Sequence, residues 1–268
     1  MTTTSKVAAQ SALQGKAALV TGSSRGIGRA IAVSLAAEGC QVCLTGRDRT
    51  ALESAAADIK ALGRPVEVQP GDLREPAEAE RLANTVAERF GGLDILVANA
   101  GATKRGDFFA LSDADFVDGF ALKFFAHVRL TRLLWPLLKV RGGAFLQIVG
   151  VGARTPSADF TIGAPVNAAC LAFVKALAEI GRRDGVQVNA INPGLVETGR
   201  LEGRLREIMI EAGVDRDGAK ARIVKAMGAP RIGAPADIAG LAAFVLSPPG
   251  RWLHGSLIDM DGGQTRGL

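Results

Sequence analysis

The chain contains no tyrosine. Any mechanism that draws a phenol from this protein is excluded by that count alone. Cysteine is scarce, with three residues in 268, so there is no disulfide framework. Cys40 and Cys43 form a C-x-x-C pair, but no second pair and no nearby histidine completes a metal-ligand set. Residues three apart on a strand face opposite sides, which makes both thiols small core residues. Cys170 falls in an apolar helix pattern. Buried thiols of this kind fit a reducing, cytoplasmic setting. Runs of five or six like charges are also missing. Lys plus Arg is 32 against Asp plus Glu 27, a net charge of +5, and the charges are interspersed. A nucleic-acid surface would show a clustered basic stripe with aromatics between, and none is present. The longest stretch without a charge, 160–174, contains Thr161, Pro165 and Asn167 and is too short and polar for a membrane span. Residues 1–14 are rich in Thr, Ser, Ala and Gln, lack the apolar region of a secretory signal, and read as a flexible tail.

Apolar residues are plentiful at 48%, with 22% charged, an ordinary globular composition with ample material for a core. Short Val/Ile/Leu runs alternate with longer helical patterns. Strands are predicted at 17–20, 42–45, 66–68, 94–98, 144–149, 186–191 and 257–260. Helices are predicted from the glycines near 26 to Gly39, and over 50–62, 76–90, 112–139, 161–181 and 235–246. This alternation implies an α/β fold, a doubly wound, Rossmann-like parallel sheet of about seven strands with helices on both faces, in one domain over 15–268. Such a sheet binds ligands outside the carboxyl ends of its strands.

Directly after the first strand comes Thr21-Gly22-Ser23-Ser24-Arg25-Gly26-Ile27-Gly28. Glycines let the backbone turn tightly and approach a phosphate. The helix opening there aims free N–H groups at an anion. A position between strand and helix is the context that makes such a turn a dinucleotide site. The spacing T-G-x-x-x-G-x-G resembles that of the classical short-chain dehydrogenase/reductase family. The likeness runs from Gln14 to Gly263. It includes Gly71-Asp72-Leu73, Asn99-Ala100-Gly101, Asn192-Pro193-Gly194 with Val196 and Thr198, the stretch from Arg231 to Ile238, and Asp261-Gly262-Gly263. The resemblance implies cofactor binding by Gly22, Ser24, Arg25, Gly26, Ile27 and Gly28 in the turn. Asp72 and Leu73 are implied at the adenine, and Asn99, Ala100 and Gly101 after the fourth strand are implied to bind the cofactor as well. Pro193, Gly194, Val196 and Thr198 are implied at the nicotinamide carboxamide. Members that prefer NAD(H) carry an acid at the end of the second strand. That position here is Gly46, followed by Arg47. Arg47, with Arg25, suits a 2′-phosphate, and the expected cofactor is NADP(H).

The family's chemistry rests on an Asn, a Ser and a Tyr-x-x-x-Lys. Aligned on flanking residues, those positions hold Lys123, Gly150, Gly163 and Asn167. Asn and Lys have changed places, and both hydroxyl-bearing residues have become glycine, which is expected to open room for a substrate. Lys123 and Asn167 are therefore the catalytic candidates. Lys123 lies in the apolar stretch 120–125, where an unpaired ammonium is costly. Either it has a partner or a task, or it snorkels to solvent. Three functions fit these residues. The first is an NADP(H)-dependent oxidoreductase acting on a small molecule with an altered proton donor. The second is an NADP(H)-binding sensor or partner subunit without redox activity. The third is a lyase or isomerase using Lys123.

Arg154 is a candidate for an acidic substrate group. Lys104, Arg105, Thr155, Ser157, Asp159 and Thr161 share its rim. His127 and His254 read as structural. The segment 200–227 matches the family's variable substrate lid. Broad apolar faces on the helices around Leu130–Leu138 and Ala168–Leu177 imply a homotetramer or homodimer.

Overall fold

In a computed structural model that describes residues 13–267, seven strands form one parallel sheet. They are β1 (Ala17–Thr21), β2 (Gln41–Gly46), β3 (Val66–Pro70), β4 (Ile95–Ala98), β5 (Ala144–Ile148), β6 (Gln187–Pro193) and β7 (Leu257–Met260), in the order β3-β2-β1-β4-β5-β6-β7. Residues 1–12 of the expected tail lie outside the described residues. Leu13 is already buried against the core. β1 is buried along its whole length, as expected of a central parallel strand covered on both faces. The chain runs outward from β1 through β2 to β3, then returns to the other side of β1 as β4. The crevice between the carboxyl ends of β1 and β4 is the switch point at which such sheets bind ligands.

One face is covered by α1 (Gly26–Ala37), α2 (Arg49–Ala61) and α9 (Pro235–Leu246), through Ile31, Leu35, Leu52, Ile59, Ile238 and Val245. The other is covered by α3 (Pro76–Phe90), α5 (Ala126–Arg141) and α6 (Gly163–Asp184), through Leu82, Val86, Leu130, Leu134 and Val174. Cys40 and Cys43 pack into these opposite layers. Burial pushes both thiols up to about 12, which leaves them inert. Among the described residues α6 alone has the length and composition to cross a bilayer. Its Val166, Cys170, Val174 and Leu177 pack into the core instead.

One segment differs from the pattern expected of the sequence, and another had no element assigned. The helix predicted over 112–139 is α4 (Asp113–Phe120) and α5 joined by a π-helical turn, Ala121–Phe125. A Ser112–Asp115 capping box starts it and left-handed Gly142 ends it. Single π turns concentrate at functional sites, and this one carries Lys123. The charged segment 200–227 is two regular helices, α7 (Leu201–Ala212) and α8 (Arg216–Met227). They share a small core of Leu201, Leu205, Ala219, Ile223 and Ile232. On the outer side of α5 and α6, Leu133, Val140 and Ile180 are exposed.

Candidate functional site

The glycine turn is tied to the end of β4 by hydrogen bonds that leave side chains little freedom. Thr21 Oγ1 accepts the N–H groups of Asn99 and Ala100, each at 2.9 Å. Asn99 Nδ2 donates to the carbonyls of Thr21 (2.9 Å) and Gly22 (3.2 Å). Gly22 and Gly26 are left-handed, with φ of +64° and +57°. A Cβ at Gly22 would stand 2.9 Å from Ala100 Cα. At Gly28 it would run into the Gly22 carbonyl and the Asn99 amide. These glycines are fixed by close approach of backbone to backbone. At Gly26 a Cβ would lie 3.2 Å from Thr198 Cγ2, so the segment after β6 folds back over the turn. Val196 is buried and forms an isolated bridge to Gly233, and Gly194 N–H bonds to the Met260 carbonyl at 3.1 Å. The N-cap of α1, Arg25, supplies no side-chain cap, which leaves the first N–H groups of the helix to meet an anion.

At the outer end, Ser24 lies beside Gly46, its Oγ 3.6 Å from where a Cβ would be. Arg47, mostly exposed, is 3.8 Å from Asp72. Asp72 also pairs with Arg74 at 3.2 Å, and Leu73 beside it is buried. The structure thus gathers the cofactor residues expected of the sequence along one crevice. It adds Arg200, which donates to the Gly101 carbonyl. Burial lowers the Arg200 pKa, and the like charge of Arg25 lowers it further. No motif marks Arg200 beyond its place two residues after Thr198.

The π turn presents Lys123 half-buried at the inner end of the crevice. Its stem packs on Gly101, where a Cβ would be 3.0 Å from Cγ and Cδ. Its Nζ donates to the Val149 carbonyl at 2.6 Å. Burial pulls the Lys123 pKa down to about 8, and Arg200 acts in the same direction against an opposite effect of Cys170. The Cys170 thiol caps the Lys123 backbone carbonyl at 3.5 Å. Asn167, buried on α6, donates from Nδ2 to the Gly150 carbonyl at 3.4 Å, while its Oδ1 is buried without a partner. Lys123 and Asn167 therefore hold two successive carbonyls at the end of β5. Gly150 has φ +131° and ψ 145°, a region that side-chain-bearing residues essentially never enter. A side chain at position 150 would therefore strain the backbone. One turn beyond Lys123, His127 Nδ1 meets Gln147 Nε2 at 3.1 Å. Burial, then Lys123, pulls the His127 pKa down to about 3, so the ring is neutral packing. His254 is likewise structural, with Nε2 2.7 Å from the Ala178 carbonyl.

Two sequence expectations need correction here. The space in front of Gly163 is not open, because the ring of Phe160 fills it. Arg154 is not free for an acidic substrate. It pairs with Asp259 at 3.5 Å, and Asp259 also accepts from Asn192 at 2.7 Å. The rim cations are paired too, Lys104 with Asp115 at 3.0 Å and Arg105 with Asp159 at 2.8 Å.

A family model described as enoyl-(acyl carrier protein) reductase matches residues 22–265. The chain belongs to the short-chain dehydrogenase/reductase family. It is 33% identical over 255 residues to an uncharacterized oxidoreductase of Mycobacterium tuberculosis, covering 94% of this chain and 93% of that protein. The L-sorbose reductase of Gluconobacter frateurii, solved with NADPH and L-sorbose, matches with a TM-score of 0.92 at 32% identity, over 97% of this chain and 100% of that one. A short-chain dehydrogenase from Burkholderia cenocepacia in complex with NADP matches with a TM-score of 0.83 at 33% identity, over 94% and 98% of the two chains. As a short-chain dehydrogenase/reductase, the protein sits among oxidoreductases that share its sheet and its switch-point crevice.

Proposed function

We propose that the protein is an NADP(H)-dependent oxidoreductase acting on a small carbonyl or alcohol, with Lys123 as its proton donor and acceptor. The glycine cradle that any Cβ would fill, and the uncapped start of α1, fit a dinucleotide pyrophosphate. When bound, the dinucleotide supplies or accepts the hydride. Gly22, Ser24, Gly26, Ile27 and Gly28 line its pyrophosphate. Arg47 and Arg25 hold the 2′-phosphate, since β2 ends in Gly46 and offers no carboxylate to a 2′-hydroxyl. Asp72 and Leu73 flank the adenine. Asn99, Ala100 and Gly101 form the floor, and Pro193, Gly194, Val196 and Thr198 receive the carboxamide. The unpartnered Asn167 Oδ1 is an acceptor awaiting a hydroxyl, since buried polar atoms are otherwise paired.

The observation that carries the reading is Lys123 itself. A half-buried ammonium anchored on the Val149 carbonyl has one fixed position and a pKa of about 8. General acids work best with a pKa near the operating pH. Lys123 protonates the substrate oxygen as hydride arrives and takes the proton back in the reverse direction. The filled space at Gly163 favours a second reading, an NADP(H)-binding subunit without redox activity. NADPH titration followed by single-turnover absorbance with a panel of ketones separates the two. Binding with oxidation of NADPH supports the first reading, and binding without oxidation the second. The exposed Leu133, Val140 and Ile180 support a homodimer or homotetramer through α5 and α6, and light scattering at micromolar concentration tests it. Three buried thiols support a cytoplasmic location.

A further inference from the structure

Phe160 ends a short 3₁₀ turn, Ala158–Phe160, just before α6, and its ring is seated on two glycines. A Cβ at Gly152 would stand 2.6 Å from Phe160 Cε1. A Cβ at Gly163 would fall among the ring carbons, closer than any real Cβ contact. Neither glycine has a positive φ. The ring, and not the backbone conformation, keeps these two positions bare. The ring is gripped from outside as well. The Arg105 guanidinium stacks on it at 4.0 Å from the centroid. Arg105 is tied to Asp159 at 2.8 Å, and the Gly106 N–H to the Asp159 carbonyl at 3.1 Å. Ser157 Oγ holds the other Asp159 oxygen at 2.5 Å. The loops after β4 and β5 thus close on a single aromatic side chain. Asn167 Nδ2 lies 3.4 Å from the same Cβ position of Gly152, which sets the ring at the wall of the catalytic crevice.

We infer that Phe160 is the specificity-determining residue of this cleft. Its ring fills the seat that a side chain at position 163 would take and sets the size limit of the substrate pocket there. The inference rests on the reading of the crevice as an oxidoreductase site. A phenyl ring has no O–H, so this wall offers apolar contact and no proton. The part of the substrate that meets it is apolar and small, and the reacting oxygen lies toward Lys123. Arg105 and Asp159 fix the ring, so the limit is a built feature and not the chance pose of a loop side chain. A guanidinium over an aromatic face is attracted by the ring's quadrupole.

The test uses the full-length protein and the variants F160A, G163A and F160A/G163A, with F160L as a milder replacement. In the wild-type background G163A overpacks the ring and lowers Tm by roughly 2–10 °C. In the F160A background the same substitution leaves Tm unchanged or raises it, since alanine is the better helix former at an unstrained position. F160L gives an intermediate result. F160A also leaves a ring-sized hollow over two glycines. Ligand-observed NMR should show phenol and acetophenone binding to F160A at least about tenfold more tightly than to wild type, because apolar cavities of this size accept aromatic rings. Equal effects of G163A in both backgrounds would show that the ring swings aside freely and would overturn the inference. So would equal affinity of F160A and wild type for both probes. Failure of the wild type to bind or oxidise NADPH would remove the oxidoreductase reading and leave both of these measurements intact.

Discussion

Gly28 and Gly163 are both positions where a Cβ would collide, but the obstacles differ in kind. At Gly28 the obstacle is the Gly22 carbonyl and the Asn99 amide, which is itself hydrogen-bonded to the Thr21 and Gly22 carbonyls. At Gly163 it is the ring of Phe160, one side chain held by another. In the cofactor half, glycine is dictated by main chain that has nowhere to go. In the substrate half, glycine answers to a neighbour that could itself be replaced. The first half is a backbone cradle that tolerates no Cβ at Gly22 or Gly28. In the second, Lys123 and Asn167 hold successive carbonyls and Gly163 lies under a ring.

That contrast is most severely tested at Lys123. Lys123→Met keeps the stem and removes the charge. Turnover should fall by roughly 10²–10⁴-fold, the usual worth of a general acid, while NADPH affinity by titration stays near wild type. An equal loss of cofactor affinity would mean that Lys123 belongs to the cofactor half. Next in size is Arg47→Ala. It should reduce the preference for NADPH over NADH by roughly 1.5–3 kcal/mol, as for a hydrogen bond to a charged group, measured as the ratio of the two dissociation constants. A wild type with equal affinities would remove the 2′-phosphate assignment. Gly28→Ala should cost about 1–3 kcal/mol through overpacking against immobile backbone, read as a lower denaturation midpoint. Gly240→Ala is the control on α9, where a Cβ meets open space. It should gain up to about 1 kcal/mol from helix propensity.

Lys123 also sets a pH dependence. The folded pKa of Lys123 is about 8 against an ordinary 10.5. Between those values the unfolded chain binds more protons than the folded one, so this residue's contribution to stability rises with pH across that window. Below pH 8 its penalty is fully present, and above 10.5 it is gone. Denaturant titrations of wild type and Lys123→Met should converge as pH rises from 8 to 10.5. Curves that stay parallel would mean that the ammonium is solvated.

The legible features were the ones that depend on few adjacent residues. The helix over 76–90 matched end to end because Pro76 sits at its first position and left-handed Gly91 stops it. The glycine turn was readable because its conformation and its anion site are both local. The segment 200–227 carried no assigned element, because Gly203, Gly213 and Gly218 interrupt its pattern. Only Gly213 terminates a helix. Gly218 lies in the first turn of α8, where its N–H is capped by Asp215 at 2.8 Å. Lys123 and Asn167 were singled out in sequence, and the structure brings both to successive carbonyls. What fills the space in front of Gly163 was invisible, because a glycine records a missing side chain and not its replacement. The π turn left no mark either, since Ala121–Phe125 reads like any apolar helix.

That turn has a consequence for the length of the chain. A π turn winds one residue more than an α turn between the same two ends. Deleting any single residue from 121 to 125 would let an ordinary α-helix form straight through. Because the two ends stay in register, α4 and α5 would keep their faces, and only the residues inside the turn would change direction. Phe116 and Phe120 on α4 and Leu130 and Leu134 on α5 would keep their packing, while Lys123 would leave the Val149 carbonyl. The position of the Lys123 ammonium is thus guarded by how many residues stand between the two helices, and a change in that number cannot be repaired by substituting any one of them.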